Sequence, residues 1–149
     1  MNMKSRRVTQ ALVLALAMTG AAPLLAQSQA RMVGPEQIQS YWIMLNTKVD
    51  ADVPNSGRNM DKPGCVAVSY MIGSDGIPQN VTVRKVVPQS DLDAVAKSVA
   101  SNFRYGPALK NSTHEPVNTY FIVPFNLPAD PAQRQAITNA CKLPGYDQA

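Results

Sequence analysis

The sequence predicts an α+β, two-layer domain: a three-stranded antiparallel sheet in the order strand-strand-helix-strand, with an extra N-terminal helix. Three observations predict it. Residues 65–72 alternate, with Val66, Val68, Tyr70 and Ile72 on one side and Cys65, Ala67, Ser69 and Met71 on the other, which is the period of a half-buried strand. Residues 117–127 alternate in the same way. Between these segments, Leu92, Val95, Ala96, Val99, Ala100 and Phe103 recur at the i, i+3, i+4, i+7 spacing of a helix with one apolar face. A single amphipathic helix against a small antiparallel sheet is a two-layer solution to burying both apolar surfaces.

The elements follow in order. Met1 to Gln10 carries Lys4, Arg6 and Arg7 and no acid, and Ala11 to Leu25 is an apolar run interrupted by Gly20 and Pro23. Small residues follow at Ala26 and Ser28-Gln29-Ala30. This is the pattern of a secretory signal peptide, residues 1–26, with cleavage expected after Ala26 or Ala30. A retained membrane anchor is the alternative, but the run is shorter than the roughly 20 apolar residues a span needs. From Pro35 to Val49, apolar residues at Ile38, Trp42 and Leu45 predict the N-terminal helix, with Pro35 suited to its first turn. Asp50 to Gly64 is rich in Pro, Asn and Gly and reads as loop, so residues 31–63 form a helix and loop ahead of the core.

The core region is 64–127. Gly73-Ser74-Asp75-Gly76 supplies a tight turn after the first strand. Val81, Val83, Val86 and Val87 mark a second strand, and the step from Val83 to Val86 breaks the alternation, as a bulge or a strand end near Lys85 would. Ser90 is expected to cap the helix, with Asp93 three residues on. Gly106-Pro107 is expected to end that element, and Lys110 to Pro116 to form a polar turn. In the last strand Val117, Thr119, Phe121, Val123 and Phe125 share one face and Asn118, Tyr120, Ile122 and Asn126 the other. Pro124 cannot donate to a ladder, which predicts an edge strand. Residues 128–149 are a polar tail with a short helical pattern at Ala132, Ala136, Ile137 and Ala140.

Charge narrows the function classes. The whole chain carries 14 Lys+Arg and 10 Asp+Glu, a net charge of +4. Without residues 1–26 the basic count falls to 11 and the net charge to +1. No basic cluster remains to neutralise phosphates, so nucleic acid is not an expected partner. Cys65 and Cys141 are the only cysteines and are expected to pair in an oxidising compartment, tying the tail to the start of the core. A redox role lacks both a C-x-x-C spacing and a basic neighbour. A structural zinc site needs four ligands, and two Cys plus one His do not supply them.

Other candidates for chemistry have plainer readings. His114 lies among Ser112, Thr113 and Glu115 in a polar turn, which provides no catalytic triad geometry. Asp91 and Asp93 are acids in the first turn of a helix, where its dipole favours them. Asp50, Asp52 and Asp61 fit no calcium loop. Tyr41 and Trp42 read as core anchors. No catalytic residue, cofactor or metal is expected.

Taken in sequence, several short motifs resemble the C-terminal domain of TonB-family proteins. Gly64-Cys65-Val66-Ala67-Val68-Ser69-Tyr70 is similar to that family's opening strand, Asp75-Gly76 to its hairpin turn and Val81-Thr82-Val83 to its second strand. Leu92-Asp93 with Ala96 and Val99 resembles its helix, Phe103-Arg104-Tyr105-Gly106-Pro107-Ala108 the exit from that helix, and Val123-Pro124-Phe125-Asn126-Leu127 its closing strand. The resemblance implies a non-enzymatic periplasmic domain of envelope transport. It implies a protein or peptide partner, such as a segment of an outer-membrane transporter, added as a strand beside Val117, Asn118, Thr119, Tyr120, Phe121, Ile122 and Val123. Two alternatives are carried: an energy-transducer homologue anchored in the inner membrane by its N-terminal segment, and a secreted structural or inhibitory domain. At most some 40 residues stand between the expected leader and Gly64, so reach across a periplasm by this chain alone is not expected.

Overall fold

The computed structural model describes residues 29–46 and 48–146. The expected leader, residues 1–26, lies outside them. Six strands and two α-helices follow in order: β1 (Arg31–Met32), β2 (Trp42–Met44), β3 (Gly64–Ile72), β4 (Pro78–Val87), α1 (Asp93–Ser101), β5 (Tyr105–Pro107), β6 (Val117–Phe125) and α2 (Pro131–Ala140). Strands β1, β6, β3 and β4 form one sheet in that order, and β2 and β5 form a separate two-stranded ribbon.

The hairpin and the closing strand follow the periodicity of the sequence. β3 pairs antiparallel with β4 and along its whole length with β6, from Gly64 opposite Phe125 to Ile72 opposite Val117. The β3–β4 ladder shifts register between Ala67 and Val68, where the partner steps from Lys85 to Val83 and leaves Arg84 as the extra residue. Of the two readings of the broken alternation, a bulge and not a strand end is found, since β4 continues to Val87. Beneath the sheet, Val66, Val68, Tyr70 and Ile72 of β3 meet Ala96 and Ala100 of α1, together with Phe103 and Tyr105. Gly76 closes the turn with φ +76°, and a Cβ there would fall 2.0 Å from the Tyr105 carbonyl oxygen, so only glycine fits.

Five expectations require correction. The sheet has a fourth strand, because β1 adds in parallel to the start of β6, with Arg31 opposite Val117 and Met32 opposite Asn118. No N-terminal helix forms over 35–49. Its place is taken by a 3-10 turn, Ile38–Ser40, and then β2, whose Trp42, Ile43 and Met44 lie opposite Pro107, Gly106 and Tyr105. Aromatic and β-branched residues suit a strand, and pairing here buries Trp42 to 1% exposure. Gly106-Pro107 therefore ends in a strand rather than a bare turn. Ser90 does not cap α1, since the first helical turn begins after Leu92 and no side chain caps it. Asp91 is instead drawn to the preceding loop, where its carboxylate accepts the Arg58 N–H at 2.7 Å. Finally, the sheet is covered on both faces. Helix α2, capped by the Asp130 carboxylate accepting from Ala132 N–H, lies with the tail against Cys65, Ala67 and Tyr120 on the face opposite α1.

The Cys65–Cys141 disulfide holds that second layer, with Cα atoms 6.1 Å apart and both residues buried.

Candidate functional site

The outer rim of β6 is built by alternation. Within an extended strand, a residue's N–H and C=O point to the same side, and successive residues point to opposite sides. The Val33 N–H donates to the Asn118 carbonyl at 2.8 Å, so Asn118 points away from β3. Tyr120 and Ile122 have the same parity and also point outward. Pro124 shares that parity and brings a carbonyl but no N–H. Val117, Thr119, Phe121 and Val123 turn their backbone groups to β3.

The predicted binding residues thus fall into three groups. Val117 and Asn118 are paired with β1, and Asn118 adds a side-chain bond from Nδ2 to the Ala30 carbonyl at 3.0 Å. Thr119, Phe121 and Val123 send their side chains to the α1 face, where Phe121 meets the Phe103 ring edge-on at 5.0 Å. Tyr120 and Ile122 are the positions whose outward backbone groups have no strand partner among the described residues. Beyond Val33 the chain leaves the rim in a turn closed by the Gln37 N–H on the Gly34 carbonyl. Tyr120 itself is anchored on the opposite face, 4.8 Å from the Tyr146 ring.

A cavity opens on each side of this rim. One, of about 510 Å³, lies on the α2 face among Glu36, Ile122, Gln135, Thr138, Lys142 and Tyr146. The other, of about 520 Å³, lies on the α1 face and is walled by Ile38, Trp42, Met44, Tyr70, Tyr105 and Thr119. Pro35 and Tyr120 border both, so both reach the unpaired stretch of β6. Trp42 is a fixed wall: its indole N–H donates to the Glu115 carbonyl at 3.0 Å. His114, in an exposed turn with φ 56°, faces Trp42 ring to ring at 6.1 Å and has Nδ1 3.2 Å from the Ser74 carbonyl. It stands apart from the rim.

The α1-face cavity was not legible as a site. Its walls come from distant positions, and β2 and β5, which bring Trp42 and Tyr105 together, are both short strands set by tertiary pairing. One signal was present: Thr119 is the single hydroxyl on the otherwise apolar face of residues 117–125.

Tyr70 and Tyr105 share a buried hydrogen bond, Oη to Oη, of 2.6 Å. Burial pushes Tyr105 up to about 12, with the bond to Tyr70 offsetting part of the rise. Burial, reinforced by the neighbouring Tyr105, drives Tyr70 well above the ordinary phenol value. The folded state therefore holds these protons more tightly than the unfolded chain does. Their contribution to stability is complete below pH 10 and is lost as pH rises through about 12. The urea midpoint should hold steady from about pH 8 to 9.5 and fall beyond pH 10, with Tyr105 alone accounting for roughly 2–3 kcal/mol at the alkaline limit. Tyr105→Phe should flatten that fall, as urea titrations at several pH values would show.

The fold and rim together define a small α+β module with a stretch of sheet edge unpaired among the described residues. The family described as Gram-negative bacterial TonB protein C-terminal matches residues 53–127, and the chain belongs to that family. The solution NMR structure of the TonB C-terminal domain of Pseudomonas aeruginosa is similar at 17% identity over 61% of this chain and 91% of that one, with a TM-score of 0.41. Among curated proteins none matches. That family is one of non-enzymatic protein-interaction domains related to envelope transport. Among the described residues, no helix is long and apolar enough to cross a membrane.

Proposed function

We propose that the chain is an exported periplasmic protein that binds an extended peptide or partner strand by adding it to the rim of β6. The guest is a segment of an envelope-transport partner, such as an outer-membrane transporter. The observation that carries this reading is the pair of outward-facing, strand-free backbone positions at Tyr120 and Ile122. Two N–H and two C=O groups there offer the ladder that an added strand completes. β1 already occupies Val117 and Asn118. The guest therefore seats from Tyr120 toward Pro124, and the remaining residues of 117–123 support it from the sheet behind.

The test is an NMR titration of the ¹⁵N-labelled chain with N-terminal peptides of outer-membrane transporters. The amide signals of Tyr120 and Ile122 should move first and furthest. Absence of any movement between Val117 and Val123 with every peptide overturns the reading. A variant sharpens it. Ile122→Pro removes an outward N–H that has no internal partner, as Pro124 already does two residues on. The sheet should persist, judged by its amide spectrum, while peptide affinity drops roughly tenfold or more.

A further inference from the structure

Resting on that strand-docking reading, we infer that the α1-face cavity is a side-chain pocket. It receives one guest residue that is neutral, apolar along its length and tipped with a hydrogen-bond acceptor.

The pocket's hydroxyls call for an acceptor. Thr119 is 1% exposed, and its Oγ1 has no hydrogen-bond partner among the described residues. A buried hydroxyl left unpaired is costly, and few are tolerated without a purpose. Tyr70 and Tyr105 line the same cavity and bond to each other. That bond uses one of their two hydroxyl protons, and neither ring makes another hydrogen bond among the described residues. The cavity's lining therefore holds two hydroxyl protons, one on the tyrosine pair and one on Thr119, that have no acceptor among the described residues.

The remaining walls set the other requirements. Pro35, Ile38, Trp42, Ile43, Met44 and Phe121 are apolar, the exposed Gln39 adds one neutral amide, and among the described residues no Asp, Glu, Lys or Arg lines the cavity. A charged tip would be buried without a counter-ion, so a neutral one is selected. Position supplies the last constraint. The cavity opens beside Tyr120, and an added strand alternates its side chains between the two sheet faces. Every second guest residue thus points toward this cavity and the residues between toward the α2-face cavity. Most of the apolar wall comes from residues 35–44, which lie outside the stretch matched by the family.

Two arms test the inference. In the first, the full chain is titrated with benzamide, which carries an apolar ring and a neutral acceptor, and with benzoate and toluene for comparison. Benzamide should shift the side-chain signals of Ile38, Met44 and Thr119, and benzoate and toluene should bind more weakly. Thr119→Val should weaken benzamide binding roughly three- to tenfold, and Thr119→Ser should restore it, since only the second keeps the hydroxyl. Equal binding to Thr119→Val, or equal binding of benzoate, overturns the pocket.

The second arm uses an extended peptide of alanine and valine with one glutamine placed at successive positions. The peptide without glutamine tests strand docking alone, through Tyr120 and Ile122. Glutamine at alternate positions, and not at those between, should tighten binding roughly three- to tenfold. Docking of the plain peptide without any glutamine effect removes the pocket and leaves strand docking standing. Benzamide binding with no peptide docking removes the assignment of the cavity to a guest strand.

Discussion

Replacing Cys65 and Cys141 together with alanine should lower stability by about 4 kcal/mol. The bond closes a loop across a sequence separation of 76 residues, and releasing a loop of that length frees about 4 kcal/mol of chain entropy in the unfolded state. The effect is also local. No residue of α2 is fully buried, so the helix has little apolar surface of its own to hold it on the sheet. Ile137 packs there only in part, and its carbonyl lies 3.0 Å from the Cys65 sulfur. Without the covalent tie, residues 131–146 should separate from the sheet before the rest unfolds. Thermal melts followed by circular dichroism should fall by on the order of 15 °C. Hydrogen exchange should show α2 deprotected while β3 and β6 remain slow. A melting point within a few degrees of the parent would contradict the account.

Trp42→Ala should cost about 3–5 kcal/mol, the usual penalty for truncating a fully buried aromatic side chain. Trp42 is 1% exposed and sits in the main core with Val33, Tyr70 and Tyr105. Its indole N–H satisfies the Glu115 carbonyl, which would lose that partner. Trp42→Phe keeps much of the packing and should cost roughly half as much, mainly through the missing hydrogen bond and reduced volume. Urea unfolding read by circular dichroism suits both variants, because the protein's only tryptophan is the residue removed. The alanine variant should also widen the α1-face cavity, since it deletes one wall. Losses below about 1 kcal/mol would mean that β2 does not anchor the N-terminal segment.

The parts of the fold that could be read from sequence are those in which one element's own periodicity decides its structure. Val66, Val68, Tyr70 and Ile72 hold one face of the run from Cys65 to Ile72 without a break, and the α1 pattern runs for three turns. Burial of one face is then enough to set strand or helix. The short strands behave differently. Arg31-Met32, Trp42-Ile43-Met44 and Tyr105-Gly106-Pro107 are too brief to carry a period, and each becomes a strand only because a distant partner meets it. The helical spacing of Ile38, Trp42 and Leu45 was genuine, but pairing with β5 overrode it. The edge character of β6 was visible in Pro124, whereas its partial cover by Arg31-Met32 was not.

That cover has a consequence for recognition. Backbone pairing alone is indifferent to sequence, and a ribbon laid along an open margin is free to slip by two residues and still satisfy every donor. Met32 opposite Asn118 acts as a fixed stop at one end, and the missing donor of Pro124 weakens the grip at the other. Between them lies room for only a few rungs, so under the proposed docking a visitor would settle in one reading frame. The protein's own first strand would in this way turn a generic adhesive margin into a ruler.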